Sequence, residues 1–373
     1  MSNVTSRSFS PAEQWAMSCA VAAAHDGSPS PNPPVGAVVV REGTLLGTGH
    51  HRRAGDDHAE VMALREAGDR ARGATVYVTL EPCNHHGRTA PCTEALLRAG
   101  VARVVFAVPD PNPHVRGHGR EMLRAAGVIV EEGFADEAQR EAEHVIAPWT
   151  RFITTGRAHV TLKVAMSLDG SIATRGGESR WITSPEARRD GHLLRARCDA
   201  VLVGSGTVLA DDPMLTARDV PAGRTPARVV VSRDANLSLG SQLVATARET
   251  PTWVLCVADA DEARRLALGA AGVRVIPVAC GPDGAVDLAA GLRALALEGV
   301  VSVLCEGGGG LHGRLRDAGL VDRVVCYVAP MLMGAGLRAI GGEGARGLAD
   351  VTRLHDWTVR AVGPDLRIEA EVR

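Results

Sequence analysis

Residues 81–92 read Glu81-Pro82-Cys83-Asn84-His85-His86-Gly87-Arg88-Thr89-Ala90-Pro91-Cys92. The apolar run before them, at 74–80, predicts a strand, and the pattern after them, at 92–99, predicts a helix. Two thiols nine residues apart among Pro, His and Gly suggest a metal before a disulfide. Upstream, His58-Ala59-Glu60 opens a helix expected over 58–72. His58, Cys83 and Cys92 would give one imidazole and two thiolates, with a fourth position left to water, as a catalytic zinc site requires. Zinc lowers the pKa of such water toward neutrality. Glu60, two residues from His58, is placed to move a proton without ligating. The start of a helix at 58 and another at 92 favours thiolate and hydroxide. His85 and His86 remain open as replacement ligands. A structural zinc knuckle is the alternative, but it gives Glu60 no task.

Outward from this stretch the chain alternates. Ser10-Pro11-Ala12-Glu13 reads as a capping box before an Ala-rich helix that runs to about His25. The Pro-rich loop 27–34 cannot be helix. Strands are expected at 35–40 and from Thr44 to near Gly49, then at 102–107 and 128–132, with helices at 117–126 and 134–146. Ala147-Pro148-Trp149 to Gly156-Arg157 is expected to break the last helix and separate a first domain, 1–150, from a second, 157–373. The second half restarts with a strand at 159–165. Further strands are expected near 199–203, 227–232, 252–257, 273–278, 301–305 and 322–328, with helices at 184–197 and 286–298. Both halves are therefore expected to be α/β layer structures.

Composition narrows the function classes. The chain has 373 residues, 45% of them hydrophobic, enough for two domains with cores of their own. Lys and Arg number 41 against 43 Asp and Glu, a net charge of −2 that excludes a chain-wide basic footprint for nucleic acid. Only 3% of residues are aromatic, too few to stack many bases. No apolar run approaches the ~18 residues of a membrane span, and the N-terminus lacks an apolar signal core. The expectation is a cytoplasmic protein without membrane or nucleic-acid partners. The remaining cysteines, in mostly apolar surroundings, read as small buried hydrophobes.

The order His-x-Glu, then Pro-Cys, is that of the zinc deaminases, which place two residues between their cysteines where this chain has eight. With Asn32-Pro33-Pro34-Val35-Gly36 and Asp110-Pro111-Asn112-Pro113, the whole chain resembles the bifunctional riboflavin-biosynthesis deaminase/reductase family. The resemblance implies a cytidine-deaminase-like α/β/α first domain and a dihydrofolate-reductase-like α/β second domain. It implies a hydrolase acting on a cyclic amidine and an NADPH-dependent oxidoreductase in one chain. The substrate implied is a pyrimidine ribosyl phosphate, 2,5-diamino-6-ribosylamino-4(3H)-pyrimidinone 5′-phosphate. Its deaminated product is then reduced to 5-amino-6-ribitylamino-uracil 5′-phosphate. A homo-oligomer is implied as well. In the first domain Asn32, His51 and Arg88 match the family's substrate contacts. Arg88 stands where the family more usually has Lys, and its fork binds phosphate with different geometry.

In the second half, Cys305-Glu306-Gly307-Gly308-Gly309-Gly310-Leu311-His312-Gly313 follows an apolar strand and leads into a helix. Consecutive glycines let amides approach a phosphate at a helix start. No acidic residue ends the next strand, so a plain Rossmann domain is disfavoured, and a tight turn without ligand stays open. By resemblance, Ala165, Trp181, Thr207, Asp211, Ser232, Gly308, Gly309, Gly310, Leu311, His312, Gly313 and Arg314 would contact NADPH. Ser179, Arg195, Leu215, Arg218 and Glu306 would contact substrate. Arg195 and Arg218 suit phosphate or ribose clamps, or are solvated arginines. Trp181 stacks a flat ring or fills the core. Lys163 and Asp211 are the candidates for handling the proton that accompanies the hydride. Competing readings are a deaminase of another nucleotide-like substrate with a degenerate second domain, and a non-catalytic zinc-stabilised binding module.

Overall fold

The computed structural model describes residues 9–86, 89–113, 115–133, 137–221 and 224–372. The chain forms two compact units that divide between Gly156 and Arg157. The first contains α1 (Pro11–Ala24), β1 (Gly36–Arg41), β2 (Thr44–His50), α2 (Ala59–Ala67, continued by a 3-10 turn at Gly68–Ala71) and β3 (Thr75–Leu80). It goes on with α3 (Cys92–Ala99), β4 (Arg103–Val108), α4 (His118–Ala125), β5 (Ile129–Glu132) and α5 (Glu137–Thr155). Its sheet runs in the order β2-β1-β3-β4-β5. β1 is antiparallel to both β2 and β3, whereas β3, β4 and β5 are parallel.

Local chemistry explains the helix ends and their seating. Ser10 Oγ accepts from the Glu13 amide and Glu13 Oε2 accepts from the Ser10 amide, the expected reciprocal cap. α2 lies close against β2 because position 49 is glycine: a Cβ there would stand 2.2 Å from the Ala59 carbonyl oxygen. That contact sets the depth at which His58 and Glu60 enter the site.

The helix expected to stop at 146 instead runs through Pro148 to Thr155. Its buried residues Ala138, Ala142, Ile146 and Trp149 keep helical spacing across the proline. An interior proline costs about 3 kcal/mol. Burying an aliphatic or aromatic side chain recovers about 1.5–3 kcal/mol each, so Ile146 and Trp149 together outweigh the break. The helix ends at Gly156, whose φ of +68° suits glycine.

The second unit contains β6 (His159–Ser167), β7 (Ser171–Ala173), α6 (Pro185–Arg197), β8 (Ala200–Gly204), α7 (Ser205–Asp211) and β9 (Ala227–Val231). Then come α8 (Gln242–Ala245), β10 (Thr252–Val257), α9 (Glu262–Ala270), β11 (Arg274–Val278), α10 (Leu288–Leu297) and β12 (Ser302–Cys305). The chain closes with α11 (Gly309–Asp317), β13 (Arg323–Ala329), β14 (Leu337–Arg338), β15 (Leu354–Val362) and β16 (Asp365–Val372). The main sheet has the order β11-β10-β9-β8-β12-β6-β13-β16-β15. It is parallel from β11 to β13 and ends in an antiparallel hairpin. Strands such as Ala200–Gly204 and Ala227–Val231 are almost wholly buried, as parallel strands covered on both faces must be. Among the elements not expected from sequence, α7 and α8 are too short to show a period. β15 is exposed along nearly its whole length and shows no inward alternation.

Candidate active sites

Ligands of open α/β sheets collect at the carboxyl ends of parallel strands, and both units present their motif residues there. In the first unit the loop after β3 carries Cys83, and Cys92 begins α3. His58 is the N-cap of α2. Its Nδ1 lies 3.5 Å from Cys83 Sγ and 3.1 Å from Cys92 Sγ, and the two sulfurs are 3.5 Å apart. Two thiolates and an imidazole around one tetrahedral zinc would stand about 3.5–3.8 Å from one another; two of the three separations match and the third is a few tenths of an ångström shorter, so the donor set fits that ion. Among the described residues the cluster of metal donors is His58, Cys83 and Cys92. His85 and His86 are exposed, and His86 pairs instead with Glu94 at 3.2 Å.

The surroundings hold these donors in place. His58 Nε2 donates to Thr89 Oγ1 at 3.2 Å, which leaves Nδ1 facing the sulfurs. The Cys92 amide, at the start of α3, donates to Cys83 Sγ at 3.4 Å. Hydrogen bonding from Cys92, opposed by burial, brings the Cys83 thiol down to about 4, while the bond to Cys83 and burial push the Cys92 thiol up. Glu60 is 3% exposed in the first turn of α2. Burial, reinforced by the charge of Cys83, raises its pKa.

Asn32 and His51, from separate loops, meet beside this centre. Asn32 Nδ2 donates to His51 Nε2 at 3.0 Å, while His51 Nδ1 donates to the Asp57 carbonyl at 3.1 Å. The His51 ring packs edge-on against His58, with centroids 5.0 Å apart. Burial lowers the pKa of His51, so its neutral form offers one donor and one acceptor. Arg88 lies outside the described residues. No local pattern in the sequence assigns Glu81 a task. It is buried, and it accepts from the amides of Gly117 and Asp110, lacing together the loops that follow β3 and β4.

In the second unit Lys163, Arg195 and Glu306 come together from β6, α6 and the end of β12. Arg195 grips Glu306 with two nitrogens at 2.5 and 3.0 Å, and Lys163 Nζ stands 3.4 Å from the same carboxylate. Burial alone would raise the Glu306 pKa, but the two cations bring it down to about 2. Arg195 also donates to the Thr216 carbonyl at 3.1 Å, tying in the loop of Leu215 and Arg218. Leu215 is buried in the core with φ +53°, so its backbone is the part left to face a ligand. Wholly buried Arg228 braces the same loop through the Met214 carbonyl.

Thr207 Oγ1 accepts from the Gly308 amide at 3.2 Å, joining α7 to the glycine-rich turn. A Cβ at Gly310 would meet nothing within 4 Å, so that turn has open space before it, a cradle that fits a dinucleotide phosphate. Ser232 is buried and accepts from the Asn236 amide. Asp211 is partnered by Arg180, which donates to its carbonyl at 2.8 Å and approaches its carboxylate at 3.6 Å. Trp181 is 67% exposed, which removes the core-filling alternative. The Arg188 guanidinium lies 4.3 Å from the Trp181 ring centroid. Ser179 is half-buried, and Ala165 lies two residues from Lys163 on the same face of β6.

A polar network escaped sequence reasoning. Tyr327 OH donates to Asp190 at 2.6 Å, and Asp190 also accepts from Arg367 at 2.7 Å and Arg360 at 3.0 Å. Lys163 Nζ sits 5.7 Å from the Tyr327 ring centroid, so this network backs the Lys163 cluster. Its members come from α6, β13, β15 and β16, and no spacing in sequence links them.

Known proteins match both units of the chain. The cytidine and deoxycytidylate deaminase zinc-binding region matches residues 10–108, and the RibD C-terminal domain matches 158–368. The riboflavin biosynthesis protein RibD of Aquifex aeolicus is 42% identical over 91% of this chain and 92% of its own length. That of Escherichia coli is 42% identical over 90% and 92%. RibD of Acinetobacter baumannii superimposes with a TM-score of 0.82 at 37% identity, covering 97% of this chain and 99% of the other. A Thermotoga maritima diaminohydroxyphosphoribosylaminopyrimidine deaminase/5-amino-6-(5-phosphoribosylamino)uracil reductase gives 0.82 at 32% identity with the same coverage. The fold class is accordingly a cytidine-deaminase-like unit followed by a dihydrofolate-reductase-like unit. Among the described residues no helix is long and apolar enough to cross a membrane. With both domain models matched in order and relatives aligned over nine-tenths of their length, the chain belongs to the RibD family of riboflavin biosynthesis proteins.

Proposed function

We infer that the chain is a bifunctional riboflavin-biosynthesis enzyme that deaminates the pyrimidine ribosyl phosphate in its first domain and reduces the ribosyl chain in its second, using Zn2+ and NADPH. The observation that carries this reading is the convergence of His58, Cys83 and Cys92 beside a buried carboxylate, Glu60, which reaches Cys92 by a side-chain hydrogen bond. Those three residues would hold zinc, which would supply a water acidic enough to attack at neutral pH. The Glu60 carboxylate is placed to accept the proton of the attacking water and to return it to the departing amine. Asn32 and His51 line the pyrimidine edge: the bond to His51 Nε2 orients the Asn32 amide, whose Oδ1 and second N–H remain for the ring, and Arg88 meets the phosphate.

In the second domain the 308–314 turn, Ala165, Trp181, Thr207, Asp211 and Ser232 would hold NADPH, which would supply the hydride. Lys163, oriented by Glu306, delivers the proton, with Asp211 as the second candidate. Arg195, Arg218, Ser179, Glu306 and the backbone of Leu215 hold the sugar phosphate. The domains are assigned as 1–150 and 157–373.

The test is one cuvette in which ammonia release and NADPH oxidation are followed on the diaminopyrimidine ribosyl phosphate. Ammonia is expected without NADPH, and oxidation only after deamination. Ammonia without any oxidation would favour a degenerate second domain.

The protein is further proposed to be a cytoplasmic homo-oligomer. The six cysteines outside the metal centre are free thiols, as a reducing compartment keeps them. Edge strand β15 exposes Leu354, Trp357 and Val359, and Leu366 of β16 lies nearby on the hairpin. Such an edge invites pairing with a second copy. Trp357→Asp should lower the mass measured by light scattering to that of a smaller species. An unchanged mass removes β15 as the interface.

A further inference from the structure

Residues 338–343 cross the cofactor helix α11 at backbone distance, and four glycines make that approach possible. A Cβ at Gly309 would stand 2.3 Å from the Arg338 carbonyl, and one at Gly313 2.2 Å from the Gly341 carbonyl carbon. Gly342 has φ +83°, and a Cβ there would stand 2.2 Å from Asp317 Oδ2. Gly309 and Gly313 therefore turn their Cα faces to this strap, while Gly310 faces open space. The strap is pinned at separate points. The Gly341 amide donates to the Gly309 carbonyl at 2.8 Å, and the Glu343 amide to Asp317 Oδ2 at 2.7 Å. The Ala339 amide donates to the Gly170 carbonyl at 3.0 Å, beyond the end of β6.

One pin is a side chain of α11. His312, 2% exposed, donates Nδ1–H to the Ala339 carbonyl at 3.0 Å. The strap also walls a cavity of about 370 Å³, with Arg338 and Ile340 on its side and Met166, Asp169 and Ser171 opposite. The cavity therefore joins the carboxyl end of β6 to the strap that lies on α11.

We propose that His312 is a positioning residue of the reductase: its bond to Ala339 seats the strap on α11 and thereby sets the shape of the dinucleotide site. Its imidazole faces the protein's own backbone, so it acts on NADPH through the strap. This rests on the reading that NADPH is held at the start of α11.

The test compares His312→Ala with His312→Asn in the full chain, because the Asn amide places a donor near the position of Nδ1. Losing a buried hydrogen bond of about 1 kcal/mol predicts a five- to tenfold rise in the NADPH KM with kcat within twofold. Trypsin should cut faster at Arg338, and deamination should be unchanged. His312→Asn should restore both the KM and the resistance to trypsin. An unchanged KM in His312→Ala with a loosened strap overturns the proposal. So does a raised KM with a protected strap that Asn fails to rescue, since that marks direct contact with NADPH. If His312→Ala does not fold, Asp317→Ala frees the far end of the strap and must raise the same KM. Gly310→Leu separates the two readings: unimpaired NADPH binding there overturns the cofactor site itself, whatever His312 does.

Discussion

Glu60→Gln should retain zinc and lose deamination by at least ~10²-fold, the usual worth of a positioned proton carrier. Glutamine keeps the shape and the first-turn position of the side chain in α2, so packing at this 3%-exposed site is preserved. What it loses is the ability to take a proton and give it back. His58, Cys83 and Cys92 are untouched, so one zinc per chain should still be found by elemental analysis. Reduction of substrate that is already deaminated should proceed at the wild-type rate, because its residues lie in the other compact unit. Deamination at close to wild-type rate would show that another group carries the proton. Loss of zinc together with activity would show that Glu60 helps hold the metal.

Glu306→Ala should do the reverse, sparing ammonia release and abolishing NADPH oxidation. The substitution leaves Arg195 and Lys163, 17% and 19% exposed, facing each other without a counter-charge. Removing one partner of a buried ion pair costs about 3–5 kcal/mol, so the second unit should melt at lower temperature while the first does not. Glu306→Gln keeps the volume and isolates the loss of charge. Reduction should still fall by about 10²-fold, because Lys163 loses the anion that orients it. The sign of the pH dependence follows from the lowered pKa of Glu306, about 2 against an ordinary 4.5. The stabilisation is present above pH 4.5 and is lost as pH falls toward 2. The wild-type melting temperature should drop over that interval more than that of Glu306→Gln. Parallel curves would mean that the triad contributes little to stability.

The chemistry of the first domain was legible in sequence because its donors belong to short segments. His58 and Glu60 are two residues apart, Cys83 and Cys92 nine, and each pair is carried by one loop or helix start. Strand and helix periods then gave the alternation, with α3 bounded as expected at 92–99. The error at Pro148 has a clear origin. A proline is a local signal for a break, whereas the burial of Ile146 and Trp149 that overrides it is a tertiary fact.

In the second domain, local sequence singled out Lys163, Arg195 and Glu306 without saying that they meet. Glu306, Lys163 and Arg195 are separated by up to 143 residues and are joined only when β12 lies beside β6 and α6 packs above them. The glycine-rich turn was legible as a place of close backbone approach. That two of its glycines face residues 338–343, and not a ligand, depends on where the chain returns after β13. Residue types and short spacings thus determine the metal-donor set, the acidic residue beside it and the α/β class, since ligand chemistry and strand period act within a few residues. The ion-pair network, the strap over α11 and the run of α5 through proline are decided by tertiary packing, since burial and charge pairing act between segments that only folding brings together.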